Sequence, residues 1–108
     1  MKIKVTANCE KDIKALNKKY KSFKKDLAIF LIKLEENPYL GTPIGKDCYK
    51  IRMKISAKNT GKSGGARVIT HVKIKKDTVY LFSIYDKSEK DNITDTQLKS
   101  WLKEVGND

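Results

Sequence analysis

The sequence predicts an α+β fold, β-α-α-β-β-β-α, in which helices pack on a mainly antiparallel, twisted sheet. Three observations predict it. Apolar residues recur at helical spacing in the first third of the chain, and they alternate with period two through the middle. The two regimes are segregated along the chain rather than interleaved, which disfavours a parallel α/β sheet. The 108 residues suit one domain, 1–108, with one core and no repeat or low-complexity tail.

Lys2 to Thr6 sets Ile3 and Val5 against Lys2 and Lys4, as in a half-buried strand. Thr6 or Asn8 then caps a helix running to about Lys19, with Ile13, Leu16 and Tyr20 on one side. Ser22 opens a second helix whose Phe23, Leu27, Phe30, Leu31 and Leu34 form a buried stripe. It ends at Asn37, because the ring of Pro38 disfavours helical backbone one residue earlier. Gly41, Pro43 and Gly45 mark Tyr39 to Gly45 as a loop.

From Cys48 to Ile55, Tyr49, Ile51, Met53 and Ile55 alternate with Lys50, Arg52 and Lys54, so the cations share one face of a strand. Ala57 to Gly65 is glycine-rich and basic and reads as a mobile loop. Ala66 to Lys75 and Thr78 to Tyr85 follow as strands joined at Lys76-Asp77, an antiparallel hairpin. Thr94 with Gln97 makes a capping box for the last helix, which carries Leu98, Trp101, Leu102 and Val105 and has Gly106 at its C-terminus.

The chain carries 24 Lys and Arg against 13 Asp and Glu, a net charge of +11, which favours polyanionic partners. The charge is segregated. Lys50, Arg52, Lys54, Lys58, Lys62, Arg67, Lys73, Lys75 and Lys76 follow one another with no acidic residue between Cys48 and Lys76. That is the footprint expected of a phosphate-binding surface. No stretch approaches the ~20 apolar residues of a membrane helix, and no apolar segment follows the N-terminal strand as in a signal peptide. The expectation is a cytoplasmic protein with no membrane partner. Cys9 and Cys48 match no metal spacing and read as ordinary reduced side chains.

Lys50, Arg52 and Lys54, joined by Arg67 if its strand pairs with theirs, gather charge suited to RNA cleavage through the 2′-hydroxyl. That reaction needs a base, stabilisation of a crowded phosphorane, and a proton for the leaving 5′-oxygen. A lysine acting as base must fall from ~10.4 to about 7–8, roughly 3–5 kcal/mol, which crowded cations help supply. Arg67 has the fork to hold two phosphate oxygens and does not move protons. Tyr85 either packs in the core or stacks on a base and relays a proton; Lys87 contacts phosphate or donates the proton. Lys58, Lys62 and Lys90, with Lys54, are read as tracking the RNA backbone.

Other chemistries fail on the residues. GKS at Gly61 to Ser63 ends like a phosphate-binding P-loop, but Ser56 stands where the first glycine belongs, and a strand follows instead of a helix. His71 is the only histidine, which excludes a two-histidine ribonuclease and leaves it a structural or supporting role. No metal-ligand cluster appears in the sequence, so no metal or cofactor is expected.

The segments Asp47-Cys48-Tyr49-Lys50-Ile51-Arg52, Gly64-Gly65-Ala66-Arg67-Val68-Ile69 and Phe82-Ser83-Ile84-Tyr85-Asp86-Lys87 resemble successive strand motifs of RelE-type toxins of the RelE/ParE superfamily. GKSGGARVI and IYDKSEKDNI look closest to the HigB-like branch. The resemblance covers nearly the whole chain and implies the small RelE fold. It implies a toxin of a type II toxin–antitoxin system: a metal-independent mRNA endoribonuclease (an mRNA interferase) that inhibits translation. Its substrate would be messenger RNA in the decoding site, cut to a 2′,3′-cyclic phosphate. Its partners would be ribosomal RNA and an antitoxin, acidic and of helix-turn-helix type. By position, Lys50 and Arg52 match the family's basic pair, Arg67 its third-strand arginine, and Lys87 a basic residue after the fourth strand. Ile93 stands where several relatives have a functional tyrosine, so Tyr85 would have to serve by another route. Two other functions compete: a ParE-like toxin that binds DNA gyrase, and a non-catalytic RNA-binding module.

Overall fold

The computed structural model describes residues 1–58, 64–90 and 92–106. The elements are β1 (Lys2–Val5), α1 (Ala7–Lys19), α2 (Phe23–Glu36), β2 (Thr42–Gly45), β3 (Cys48–Met53), β4 (Ala66–Lys73), a 3₁₀ turn (Ile74–Lys76), β5 (Thr78–Asp86) and α3 (Asp95–Glu104). The expected α+β class stands, with one addition and two shortened strands. Thr42 to Gly45, expected to be loop, pairs antiparallel with β3 as an edge strand, where Pro43 is tolerated because its outer side has no partner. β3 stops at Met53 and β4 at Lys73, each two residues early.

The sheet order is β1-β5-β4-β3-β2. β2 to β5 run as an antiparallel meander, and β1 joins the far edge parallel to β5. The chain therefore starts at one edge of the sheet, crosses its back through α1 and α2, and re-enters at the other edge.

Apolar residues from α1 and α2 (Leu16, Phe23, Phe30, Leu34) meet Ile51, Met53, Val68, Val79, Leu81 and Ile84 on that back face. On the opposite face, Leu98 and Trp101 of α3 pack on Cys48, Ile69, Phe82 and Tyr85. Among the described residues no helix is long and apolar enough to cross a membrane.

The caps follow the sequence closely. Thr6 rather than Asn8 caps α1: its Oγ1 accepts from the Cys9 N–H at 3.3 Å and donates to the Leu81 carbonyl at 3.0 Å. Ser22 precedes α2 without a side-chain cap and donates instead to Asp26 at 2.7 Å. The capping box of α3 forms in full: Thr94 Oγ1 accepts from Gln97 N–H, and Gln97 Oε1 from Thr94 N–H. Thr94→Ala, which strips one of these bonds, is expected to cost about 1 kcal/mol. A urea titration reading less than a few tenths would show that α3 is held by packing alone.

Candidate functional site

β3 lies beside β4 in a register that puts Arg52 directly opposite Arg67, and β4 lies beside β5 so that Arg67 is opposite Tyr85. Residues paired across a sheet point to the same face. Arg52, Arg67 and Tyr85 therefore form one row across three strands, on the face that carries α3. Lys50 sits two residues along β3 on that face, its Nζ 3.4 Å from Asn92 Oδ1 in the segment leading to α3.

Tyr85 reaches this row only because of a bulge. The pairing steps from Ile69↔Ser83 to Thr70↔Leu81, which leaves Phe82 without a partner on β4. Strict alternation from Val79 and Leu81 would send Tyr85 to the back face; the extra residue reverses the phase, so Tyr85 joins Tyr80 and Phe82.

The members of the row differ in exposure. Arg52 is exposed, whereas Arg67 is 6 % and Tyr85 7 % exposed. Nη1 of Arg67 donates to the Ala66 carbonyl at 3.0 Å. Among the described residues, no carboxylate lies within ion-pair distance of Lys50, Arg52 or Arg67. Like charges directly opposite in a sheet are destabilising, so the Arg52–Arg67 pair sits against the interests of the fold.

Gly65 delivers the backbone to Arg67. Its φ is +87°, and a Cβ there would stand 2.6 Å from the Met53 carbonyl, so a side chain is excluded twice. Lys87 enters through its backbone, donating N–H to the Gly65 carbonyl at 3.0 Å, and is half-buried. The Lys90 Nζ stands 5.4 Å from the centroid of the Tyr85 ring, a cation–π contact beside the row.

Two of the expected cations lie elsewhere. Lys54, beyond the end of β3, is exposed and acts on Asp26 of α2. Lys62 lies outside the described residues. Lys58 turns inward, with a side chain 10 % exposed and Nζ 2.7 Å from Asp86 Oδ1, so it serves as an internal tie and not as the backbone-tracking cation expected.

Asp86 is the residue that sequence reasoning missed. It is 2 % exposed, and it accepts from Lys58, from Lys19 at 3.0 Å, from the Tyr20 hydroxyl, and from the Ser88 N–H and hydroxyl at 2.9 and 2.7 Å. Burial alone would raise its pKa, but the bonds from Lys58, Tyr20 and Ser88 overcome that and hold its carboxyl well below the usual range. It thereby joins the end of α1, the residues after β3 and the turn after β5. Asp26 does similar work nearby, accepting from the Ser56 N–H and hydroxyl at 2.8 and 2.7 Å. The available signal was an acid ending an otherwise apolar strand.

His71 takes the structural role. It lies on the Arg67 face of β4 but is stacked on Phe82 at 5.5 Å, with Nδ1 3.5 Å from Cys48 Sγ, and burial lowers its pKa. Cys9 and Cys48 are free and buried, and burial pushes both thiols up to about 12, which makes them inert. Among the described residues no group of His, Cys, Asp and Glu is placed to hold a metal ion.

A family model described as the RelE toxin of the RelE/RelB toxin–antitoxin system matches residues 18–107. Among solved structures the chain resembles a mutant Escherichia coli toxin RelE in the free state, at 19 % identity over 96 % of each chain, with a TM-score of 0.61. It also resembles a chain of the intact E. coli RelBE toxin–antitoxin complex, at 20 % identity over 79 % of this chain and 94 % of that one (TM-score 0.60). The isolated E. coli RelE toxin matches at 19 % identity over 96 % and 97 % of the two chains, with a TM-score of 0.56. At these identities the structures speak to the fold.

Proposed function

Since the chain belongs to the RelE toxin family, we propose that this type II toxin is an endoribonuclease cutting messenger RNA in the ribosomal decoding site. The observation that carries the reading is the row Arg52–Arg67–Tyr85, in which two arginines stand directly opposite each other on adjacent strands with, among the described residues, no carboxylate within ion-pair distance. That the fold tolerates such repulsion at one place supports reading that place as functional.

In the proposed reaction the 2′-oxygen bonds to the neighbouring phosphorus and its proton goes to a base. The bond from phosphorus to the 5′-oxygen breaks and that oxygen takes a proton. The products are a 2′,3′-cyclic phosphate and a 5′-hydroxyl end. Arg52 and Arg67 hold the phosphate and offset the charge of the phosphorane. Lys50 serves as base at the edge of the row, and Tyr85 or Lys87 supplies the proton. Lys90, over the Tyr85 ring, contacts an adjacent phosphate.

Arg67 must turn outward to do this. The move gives up its bond to Ala66, worth about 0.5–1.5 kcal/mol net, and gains charge-assisted bonds to phosphate of roughly twice the strength. Phosphate binding therefore wins, and the free protein keeps Arg67 tucked in.

The reading also includes a co-expressed antitoxin. The E. coli relative is solved in such a complex, and a chain of net charge +11 favours an acidic covering segment. The test is to induce the chain in a translating extract and map RNA 5′ ends. New 5′-hydroxyl ends within ribosome-engaged messages are expected, with ribosome-free RNA left intact. Growth arrest with intact transcripts and a DNA-damage response would move the activity to gyrase and sink the nuclease reading.

A further inference from the structure

We infer that the outer face of α2 is a self-docking surface, on which a second copy of this chain packs its own α2 antiparallel about a two-fold axis. Lys25, Ile29, Ile32 and Glu36 follow the i, i+4, i+7, i+11 spacing that lines up one stripe along a helix, with Ala28 beside Ile32. All five are exposed, Ile29 to 47 % and Ile32 to 58 %. The stripe points away from Phe23, Phe30 and Leu34, which hold the helix to the sheet.

The charges at the two ends of the stripe identify the occupant. Acids suit the N-terminus of a helix and bases its C-terminus. The stripe has the reverse, with Lys25 in the first turn of α2 and Glu36 as its last residue. Asp26 and Lys33 do follow the rule, but Asp26 turns inward to Ser22 and Ser56, and Lys33 stands beside the stripe. Among the described residues neither Lys25 nor Glu36 has an ion-pair partner. Within one chain this placement weakens the helix.

A second copy reverses that. With the axis midway between Ile29 and Ile32, each Ile29 meets the other copy's Ile32. Each Lys25 meets the other copy's Glu36, because both pairs share that midpoint. Each Lys25 also comes to the negative, C-terminal end of the other α2.

Exposed apolar residues flanked by charge mark protein contacts. The stripe carries one base and one acid on a chain of net charge +11, so it offers RNA or an acidic helix less than the lysine-rich strands do. α2 lies on the back of the sheet, whereas Arg52, Arg67 and Tyr85 lie on the face that carries α3. Pairing therefore leaves both rows uncovered, and it holds whether or not they cut RNA.

One helix per copy provides less than the ~800 Å² per partner of a standard interface, so a dissociation constant of about 100 µM is expected. Sedimentation equilibrium of the full chain from about 10 µM to 1 mM, in ~0.15 M salt to screen the net charge, tests this. Lys25→Glu or Glu36→Lys alone turns two attractive contacts into two repulsive ones and should raise the constant about 10-fold. Both changes fall on exposed positions and agree with the dipole of α2, so the fold is retained. Mixed in equal amounts, the two variants should pair with each other at close to wild-type strength, because every ionic contact between them is again of opposite sign. The two changes combined in one chain should restore self-association in the same way.

A wild type that stays monomeric throughout overturns the inference, as do single variants that associate like the wild type. Loss in both single variants without recovery in the mixture overturns it too, since only the antiparallel pairing of position 25 with position 36 predicts the rescue. An acidic helical partner that takes the stripe while the wild type alone stays monomeric counts equally against it.

Discussion

Arg67→Ala is expected to slow messenger cleavage by about 10²–10³, the usual effect of removing one donor from a preorganised charge-stabilising site. Stability should change far less. The alanine deletes a buried stem, which costs free energy, but it also relieves repulsion between two arginines directly opposite in the sheet. Arg67→Lys keeps the charge and loses the planar fork, so it should recover only part of the rate. Rates on ribosome-engaged messages, measured beside a thermal melt, separate a lost phosphate contact from a lost fold. Unchanged cleavage and growth arrest in the alanine variant would show that the row is not the site.

Asp86→Asn is expected to cost about 3–5 kcal/mol, because it leaves the Lys58 ammonium buried without its counter-charge. For a chain of this size the melting temperature should fall by roughly 15 °C. The pH dependence carries a sign that identifies the group. Its folded pKa lies below that of the unfolded chain, so its contribution is fully present above about pH 4 and is lost as pH falls from there toward the folded value. The wild type should thus lose stability steeply below about pH 4, with the Asn variant flatter in that window and the two curves parallel between pH 5 and 8. A variant that melts with the wild type would mean that Lys58 finds water when Asp86 is neutralised.

The helices and most strands were legible in local pattern. Thr94 with Gln97 specified a start, Asn37-Pro38 specified a stop, and period two across Cys48 to Met53 separated the core residues from Lys50 and Arg52. β2 was not legible, since Thr42 to Gly45 has turn composition and becomes a strand only because β3 offers it an edge. Lys58 was misjudged because nothing nearby in sequence indicates that a lysine in a basic segment will meet an acid 28 residues later.

What the sequence settles by itself is the identity of the cations and the face each takes on its own strand, because a strand's side chains alternate whatever surrounds it. Which strands lie together, and in what register, is set by long-range packing. Only that register puts Arg52 against Arg67. The one-residue bulge at Phe82, whose ring packs on Trp101 of α3, turns Tyr85 toward them and Asp86 toward Lys58. The charges are local facts, and the site is a consequence of pairing.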